Sequence, residues 1–223
     1  MKNDFLSLEE NTGIYKKYVK RVLSVLLGIF ACPFVVLSFI IFAPIIKFTD
    51  GGTVFYKDKR LGLNGKAFTM FKYRSMKMNS GVIRASDGVS TIKDKSDSRI
   101  TKIGRFIRKY GIDELPQVWN IIKGDMSFIG PRPDFPDTID RLTGVIPNPI
   151  ADITPDDFYE NYYKARMSVR PGITSYAVIK LPDDANRVMC DEADAWYARN
   201  MTFGLDVNLF FGTIFHLVLG KHK

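Results

Sequence analysis

Two adjacent carboxylates, Asp113 and Glu114, follow a run of cations at Lys102, Arg105, Arg108 and Lys109 and precede Arg132, which stands between Pro131 and Pro133. Neighbouring carboxylates suit phosphoryl chemistry: one attacks phosphorus, the other holds a divalent cation, and guanidinium groups neutralise the phosphate oxygens. Between two prolines the backbone is stiff, so the Arg132 guanidinium is presented to a phosphate with little entropy to lose. The same residues also have a plainer use. An acidic side chain at a helix start accepts orphan backbone N–H groups and complements the helix dipole, so Asp113 is equally a good N-cap. Gly-Pro-Arg-Pro is likewise an ordinary turn composition. Residue types alone leave both readings open.

The elements that must position these groups are legible in the spacing. Ile100, Ile103, Phe106, Ile107 and Tyr110 recur at intervals of three and four, which predicts a helix capped by Thr101 or Ser98 and ended by Gly111. Pro116 belongs in a first turn and Lys123-Gly124 is a stop signal, so a second helix follows, with Asp113 and Glu114 at its N-terminus. Upstream, Asp50-Gly51-Gly52 marks a turn. Thr53–Arg60 and Lys66–Arg74 read as strands around Leu61–Gly65, where Asn64-Gly65 is a hairpin signal. Asn79–Ser98 has no apolar periodicity and reads as a loop. A short helix is expected from about Pro155 to Met167. Arg170 precedes Pro171-Gly172 and reads either as a cation for an anionic group or as an exposed turn residue. The acidic residues Asp191, Glu192 and Asp194 read as a solvated cluster with no site role.

With 223 residues, 46% of them hydrophobic, and a formal charge of +8, the chain suits one modest domain plus an apolar element and an anionic partner. Two cysteines form neither a disulfide framework nor a metal motif, and two histidines exclude a Ser-His-Asp triad or a multi-histidine metal site in practice. No nucleic-acid recognition motif accompanies the charge. Residues 1–21 are polar and basic, residues 22–46 carry no charge, and residues 47–223 form the remaining domain. The apolar run is long enough to span a bilayer once, but both flanks are basic and Pro33 falls near its middle. A helix that breaks at Cys32-Pro33 and returns keeps both flanks on one side; a kinked span is the alternative. The dense apolar C-terminal segment, ending in Lys221 and Lys223, predicts an interfacial helix. The whole is an α+β chain, mainly helical, with a small β-hairpin.

RITKIGRFIRK, then GIDELPQVWNIIKGDMSFIGPRP, together with GGTVFYKDKRLGLNGKAFTMFKYRSM and RPGIT at 170–174, resembles the bacterial sugar transferase family, the monotopic phosphoglycosyl transferases. The resemblance implies a membrane-associated fold with a re-entrant N-terminal helix on the cytoplasmic face of a bacterial inner membrane. It implies transfer of a phosphosugar from a nucleotide sugar, usually a UDP-sugar, to polyprenol phosphate with release of UMP, in glycoconjugate biosynthesis. Asp113 would then be the nucleophile in a ping-pong mechanism and Glu114 a Mg²⁺ ligand. Arg108, Arg132, Lys72, Arg74 and Arg170 would be phosphate or dyad partners, and the anionic membrane surface a further partner. Nucleic acid is not expected; homo-oligomerisation is left open. The chain departs from the family pattern in having Cys32 for serine before Pro33, Ser98 for a proline, and Ser175 and Val178-Ile179 after Thr174. A membrane-anchored nucleotide-sugar-binding or scaffold protein of the same fold, without turnover, is the rival reading.

Overall fold

The computed structural model describes residues 13–78, 80, 97–136, 162–182 and 185–218. Most of the loop expected at 79–98, the start of the short helix read from Pro155, and Lys221 and Lys223 lie outside the described residues.

Helix α1 runs from Lys20 to Asp50 after one wider turn at Tyr15–Val19, and stops at Gly51, whose φ of 73° supplies the left-handed cap. Its middle is apolar on every side, so size decides which residues face the protein. The buried positions are Lys20, Ser24, Gly28, Ser38, Ala43 and Ile46, mostly small side chains that let neighbours approach closely. Ser38 Oγ lies 2.9 Å from the Tyr73 hydroxyl. Leu26, Ile29, Phe30, Phe34, Leu37 and Ile40 are exposed. Pro33 and Pro44 both lie inside α1, and the helix continues through Cys32-Pro33 as one element. Each proline removes one backbone hydrogen bond without ending the helix.

Strands β1 (Phe55–Leu61) and β2 (Ala67–Tyr73) pair antiparallel, with Leu61 opposite Ala67 and Phe55 opposite Tyr73. The turn between them places Asn64 at φ 53° and Gly65 at φ 72°, the left-handed pair that Asn-Gly favours. Phe68 and Met70 pack with Ile121 and Met126, while Tyr73 turns to Ile46 and Ile107. Helix α2 (Lys102–Lys109) is capped by the Thr101 hydroxyl, which accepts from Gly104 N–H at 2.9 Å. Its expected apolar stripe divides: Ile100 and Ile107 are buried, whereas Phe106 and Tyr110 stay exposed. A short 3₁₀ turn, Ile112–Glu114, then precedes α3 (Gln117–Lys123).

Strand β3 (Ser127–Ile129) pairs parallel with β4 (Gly172–Thr174), and a Cβ on Gly172 would fall 2.2 Å from Gly130 N, so glycine there permits the close backbone crossing. Helices α4 (Lys164–Met167), α5 (Tyr176–Lys180), α6 (Arg187–Asn200) and α7 (Phe203–Val218) complete the described residues. Ile129, Val169, Tyr197, Ala198, Met201 and Leu209 make the core beneath them. Phe203, Phe211, Ile214, Phe215 and Val218 of α7 face outward, the apolar surface expected of this segment. The architecture is α+β.

Asn120 joins α3 to the β-hairpin. Fully buried in α3, it accepts from Phe71 N–H at 3.1 Å and donates to Thr69 C=O at 2.7 Å, substituting for a third strand along β2. Asn120→Ala leaves two part-buried backbone groups unpaired and is expected to lower unfolding free energy by about 1–3 kcal/mol. Denaturant melts of the detergent-solubilised protein check this, and a change below about 1 kcal/mol contradicts the role.

Candidate active site

Gly111, at φ 65°, turns the chain out of α2 and sets up the Ile112–Glu114 turn. Both acids are buried there, Asp113 at 8% and Glu114 at 7% exposure. Lys72 reaches across from β2 and donates to Glu114 Oε1 at 2.5 Å. Asp113 is differently placed. Its Oδ1 is buried without a hydrogen-bond partner, and α3 begins at Pro116 with no side-chain cap. The capping use of Asp113 is therefore not the one the structure displays. Burial pushes the Asp113 carboxyl up to about 6; Lys72 opposes this, Glu114 reinforces it and Arg108 opposes it. A buried, under-coordinated, unusually basic carboxylate beside a second acid and two cations is equipped to attack an electrophilic phosphorus.

The other expected cations scatter. Arg108, half-buried in the last turn of α2, belongs with the dyad through its charge on Asp113. Arg74 does not. It is buried, paired with Asp50 at the end of α1, and donates to Ile46 C=O at 3.4 Å, so it fastens the end of that apolar helix, with Nη1 buried and without a hydrogen-bond partner. Arg132 is exposed at the proline corner, where its charge acts on Arg60. Its backbone is held on both sides: the carbonyl accepts from Arg166 Nη2 at 2.6 Å and the N–H donates to Asp194. Arg170 lies at the other end of α3, donating to Gly124 C=O at 2.9 Å.

The acidic cluster expected to be solvated is buried: Asp191 at 0% and Asp194 at 2% exposure. Both lie against Arg166, with Nε at 3.4 Å from Asp191 and 3.5 Å from Asp194. Asp134 accepts from Arg166 and, at 2.8 Å, from Arg187, which also bonds Asp191 at 2.7 Å. Burial raises the Asp134 carboxyl, yet the two guanidinium groups hold it at about 2. Asp194 is pushed up to about 6 by burial, against Arg166. This network, which braces the Arg132 corner, was hidden from sequence except for Arg187 and Asp191, whose separation by one helical turn is a readable pairing. Arg60 was missed as well; its guanidinium stacks 3.5 Å from the Phe135 ring and donates to Pro133 C=O at 3.2 Å.

A hard cation fits the dyad. Among the described residues no cluster of three metal-ligating side chains occurs, but Mg²⁺ typically takes one or two carboxylates and completes its shell with water and substrate phosphates. The unpartnered Asp113 Oδ1 and the adjacent Glu114 supply such a donor pair.

A family model described as bacterial sugar transferase matches residues 15–220. The chain is 34% identical to a UDP-N-acetylgalactosamine-undecaprenyl-phosphate N-acetylgalactosaminephosphotransferase of Aeromonas hydrophila, across 91% of this chain and 44% of that protein. It is 36% identical to an undecaprenyl-phosphate galactose phosphotransferase of Salmonella typhimurium, across 74% and 33%. An uncharacterized sugar transferase of Bacillus subtilis, EpsL, is 35% identical across 88% and 85%. The chain thus spans less than half the length of the first two relatives and most of the third.

The charges around Asp113 set a titration that can be read directly. In metal-free protein, ¹³C NMR of labelled aspartate should show Asp113 titrating near 6, and Lys72→Gln should move it higher because the opposing cation is lost. Since folding raises this pKa above its ordinary value of 3.8, Asp113 favours the folded state only while protonated, and that contribution fades as pH rises through 6. A value near 4, or no response to Lys72→Gln, overturns the electrostatic description.

Proposed function

This chain belongs to the bacterial sugar transferase family, and we propose that it transfers a phosphosugar from a UDP-sugar to polyprenol phosphate, releasing UMP. The observation that carries the reading is the buried Asp113 carboxylate, unpartnered at Oδ1 and flanked by Glu114, Lys72 and Arg108. Relatives named as undecaprenyl-phosphate sugar phosphotransferases support the substrate classes.

Asp113 attacks the sugar-bearing phosphorus, forming an aspartyl phosphosugar as the bond to the UMP oxygen breaks. With a pKa near 6, the carboxylate is in about tenfold excess at pH 7 while keeping more basicity than an ordinary aspartate. Glu114 would hold Mg²⁺, which when bound would neutralise the diphosphate and steady the leaving group. Arg108 neutralises phosphate oxygens beside the dyad, and Arg132 presents its guanidinium from the braced corner. Lys72 pairs with Glu114 and orients it. Polyprenol phosphate then attacks the same phosphorus and regenerates Asp113.

The membrane placement is part of the proposal. Near its start α1 is fastened by Lys20 to Asp206, and at its end by Arg74 to Asp50, with Ile46 against Tyr73 and Ile107. Both ends therefore rest on one folded body. That arrangement supports a helix that enters the cytoplasmic leaflet and returns, with Pro33 as the place where its axis bends.

Two experiments test the reading. UMP release should require Mg²⁺ and one UDP-sugar of a panel, and should fall at least about 10³-fold in Asp113→Asn, the scale on which loss of a nucleophile acts. Exchange of labelled UMP into that UDP-sugar without polyprenol phosphate should accompany it; release that survives in Asp113→Asn sinks the nucleophile assignment. For topology, cysteines introduced at Tyr18 and Thr49, in a protein lacking Cys32 and Cys190, should react with an impermeant maleimide only after cells are opened. Labelling of one end in intact cells would instead mean a span.

A further inference from the structure

Among the described residues, three carboxylates, Asp134, Asp191 and Asp194, close on two guanidinium groups, Arg166 and Arg187. All three acids are buried, so with every member ionised one negative charge is left over in a dry interior, at a cost in desolvation. The surplus falls on Asp194. Asp134 and Asp191 each lie against both arginines, whereas Asp194 meets Arg166 alone, at 3.5 Å from Nε. Burial, opposed by Arg166 and helped by Asp191, pushes the Asp194 carboxyl up to about 6; despite burial, two guanidinium groups hold Asp134 at about 2.

What Asp194 holds is the corner that carries Arg132. The Arg132 N–H donates to Asp194 and its C=O accepts from Arg166 Nη2 at 2.6 Å, so a single ion pair holds both backbone groups of the residue. The side chain itself is exposed, and its direction is inherited from that backbone. Asp194 Oδ1 also accepts from Ala177 N–H at 3.4 Å, in the first turn of α5. One carboxylate thus ties the proline corner to the chain just past β4. Serving two N–H groups and Arg166 takes both of its acceptor oxygens. A proton on Asp194 turns one of them into a donor, and an amide in its place does the same. Among the described residues, the other charged or titratable groups acting with Asp194 are Arg166 from α4 and, on its own helix, Asp191 and Tyr197; α5 and the corner present backbone N–H.

We infer that Asp194 is a positioning residue: its carboxylate fixes the backbone from which Arg132 addresses a phosphate, and uptake of a proton releases Arg132 and Ala177 together. The dyad lies elsewhere. Asp113 feels Lys72, Glu114 and Arg108, none of which belongs to this network, so Asp194 acts on the reaction through Arg132. The inference rests on the proposed function for what Arg132 touches, and on geometry for what Asp194 holds.

Because Asp113 titrates in the same range, a pH–rate profile would mix the two acids, but backbone amides separate them. In detergent-solubilised full chain labelled with ¹⁵N-arginine and ¹⁵N-alanine, the Arg132 and Ala177 amide signals should shift together with a midpoint near 6. Both shifts should vanish in Asp194→Asn and persist in Asp113→Asn. Amides that stay still, or that titrate alike in Asp194→Asn, overturn the inference. Kinetics supply the second reading. At neutral pH, Asp194→Asn should lower kcat/KM for the UDP-sugar about tenfold, yet less than about twofold in an Arg132→Gln background, where there is nothing left to position. Equal losses in both backgrounds mark a structural acid and overturn the positioning role. Glu192→Gln removes a nearby acid on α6 whose charge acts on Tyr162, and should leave kcat/KM within about twofold; a tenfold loss there also counts against Asp194. Asp194→Asn keeps two carboxylates against two guanidinium groups, so the fold should be retained, which circular dichroism checks. A wild type that releases no UMP strikes the transfer reading, while the amide titration still decides whether Asp194 holds the corner.

Discussion

Two carboxylates buried side by side repel each other, and here that repulsion is met by a lysine from a neighbouring strand. The Lys72–Glu114 pair, 2.5 Å apart, makes the acidic turn depend on the register of the β1–β2 hairpin. Side chains alternate along β2, so Phe68, Met70 and Lys72 share one side while Tyr73 faces α1. A slip of one residue would send Lys72 away from Glu114 and bring Tyr73 out of its pocket. Asn120 guards against that slip by bonding Thr69 and Phe71 on either side of Met70. The helix that follows the dyad thereby holds the strand that neutralises it.

Charge elsewhere follows the same logic of local pairing. Asp50, Asp58, Asp134 and Asp206 each meet a specific arginine or lysine in a partly or fully buried setting. Such pairs contribute little net stability against apolar substitutes but are costly to break, so they act chiefly to fix geometry. Asp134 with Arg166 and Arg187 fixes the proline corner; Asp206 with Lys20 and Tyr197 fixes the start of α1 against α6 and α7. Among the described residues, Lys102, Arg105 and Lys109 of α2 and Arg132 at the proline corner stay exposed. The chain therefore shows positive charge where phosphate chemistry and a phosphate-rich surface would use it.

The parts legible in sequence were those governed by local rules. The period of three and four gave α2, Thr101 capped it as its position implied, and Asn64-Gly65 made the turn. Asp113, Glu114, Lys72 and Arg108 lie together around one turn. Long-range pairings escaped. Nothing near Arg74 in sequence says that it reaches Asp50, and nothing near Asp191 or Asp194 says that Arg166 buries them. An acidic run is solvated unless a distant partner arrives, and distance along the chain hides the partner. Pro33 was also ambiguous: a missing N–H weakens a helix at one bond, and the continuous α1 tolerates the loss.

The exposed aromatic residues bear on how deep the dyad sits. Phe106 on α2, Tyr110 just after it and Trp119 on α3 are all exposed, and they bracket the Ile112–Glu114 turn. Left in water, three large aromatic side chains around one acidic turn forfeit apolar burial; at a bilayer interface the same rings recover it, with Trp and Tyr keeping their polar tips hydrated. Phe106 also touches Phe42 of α1, with ring centroids 6.3 Å apart, so this aromatic rim is continuous with the apolar helix. A lipid phosphate lies at the same depth as such a rim. The proposed reaction brings a soluble nucleotide sugar and a lipid acceptor to one carboxylate, which must then sit near the headgroups; the exposed aromatic rim and the fastened ends of α1 support that placement.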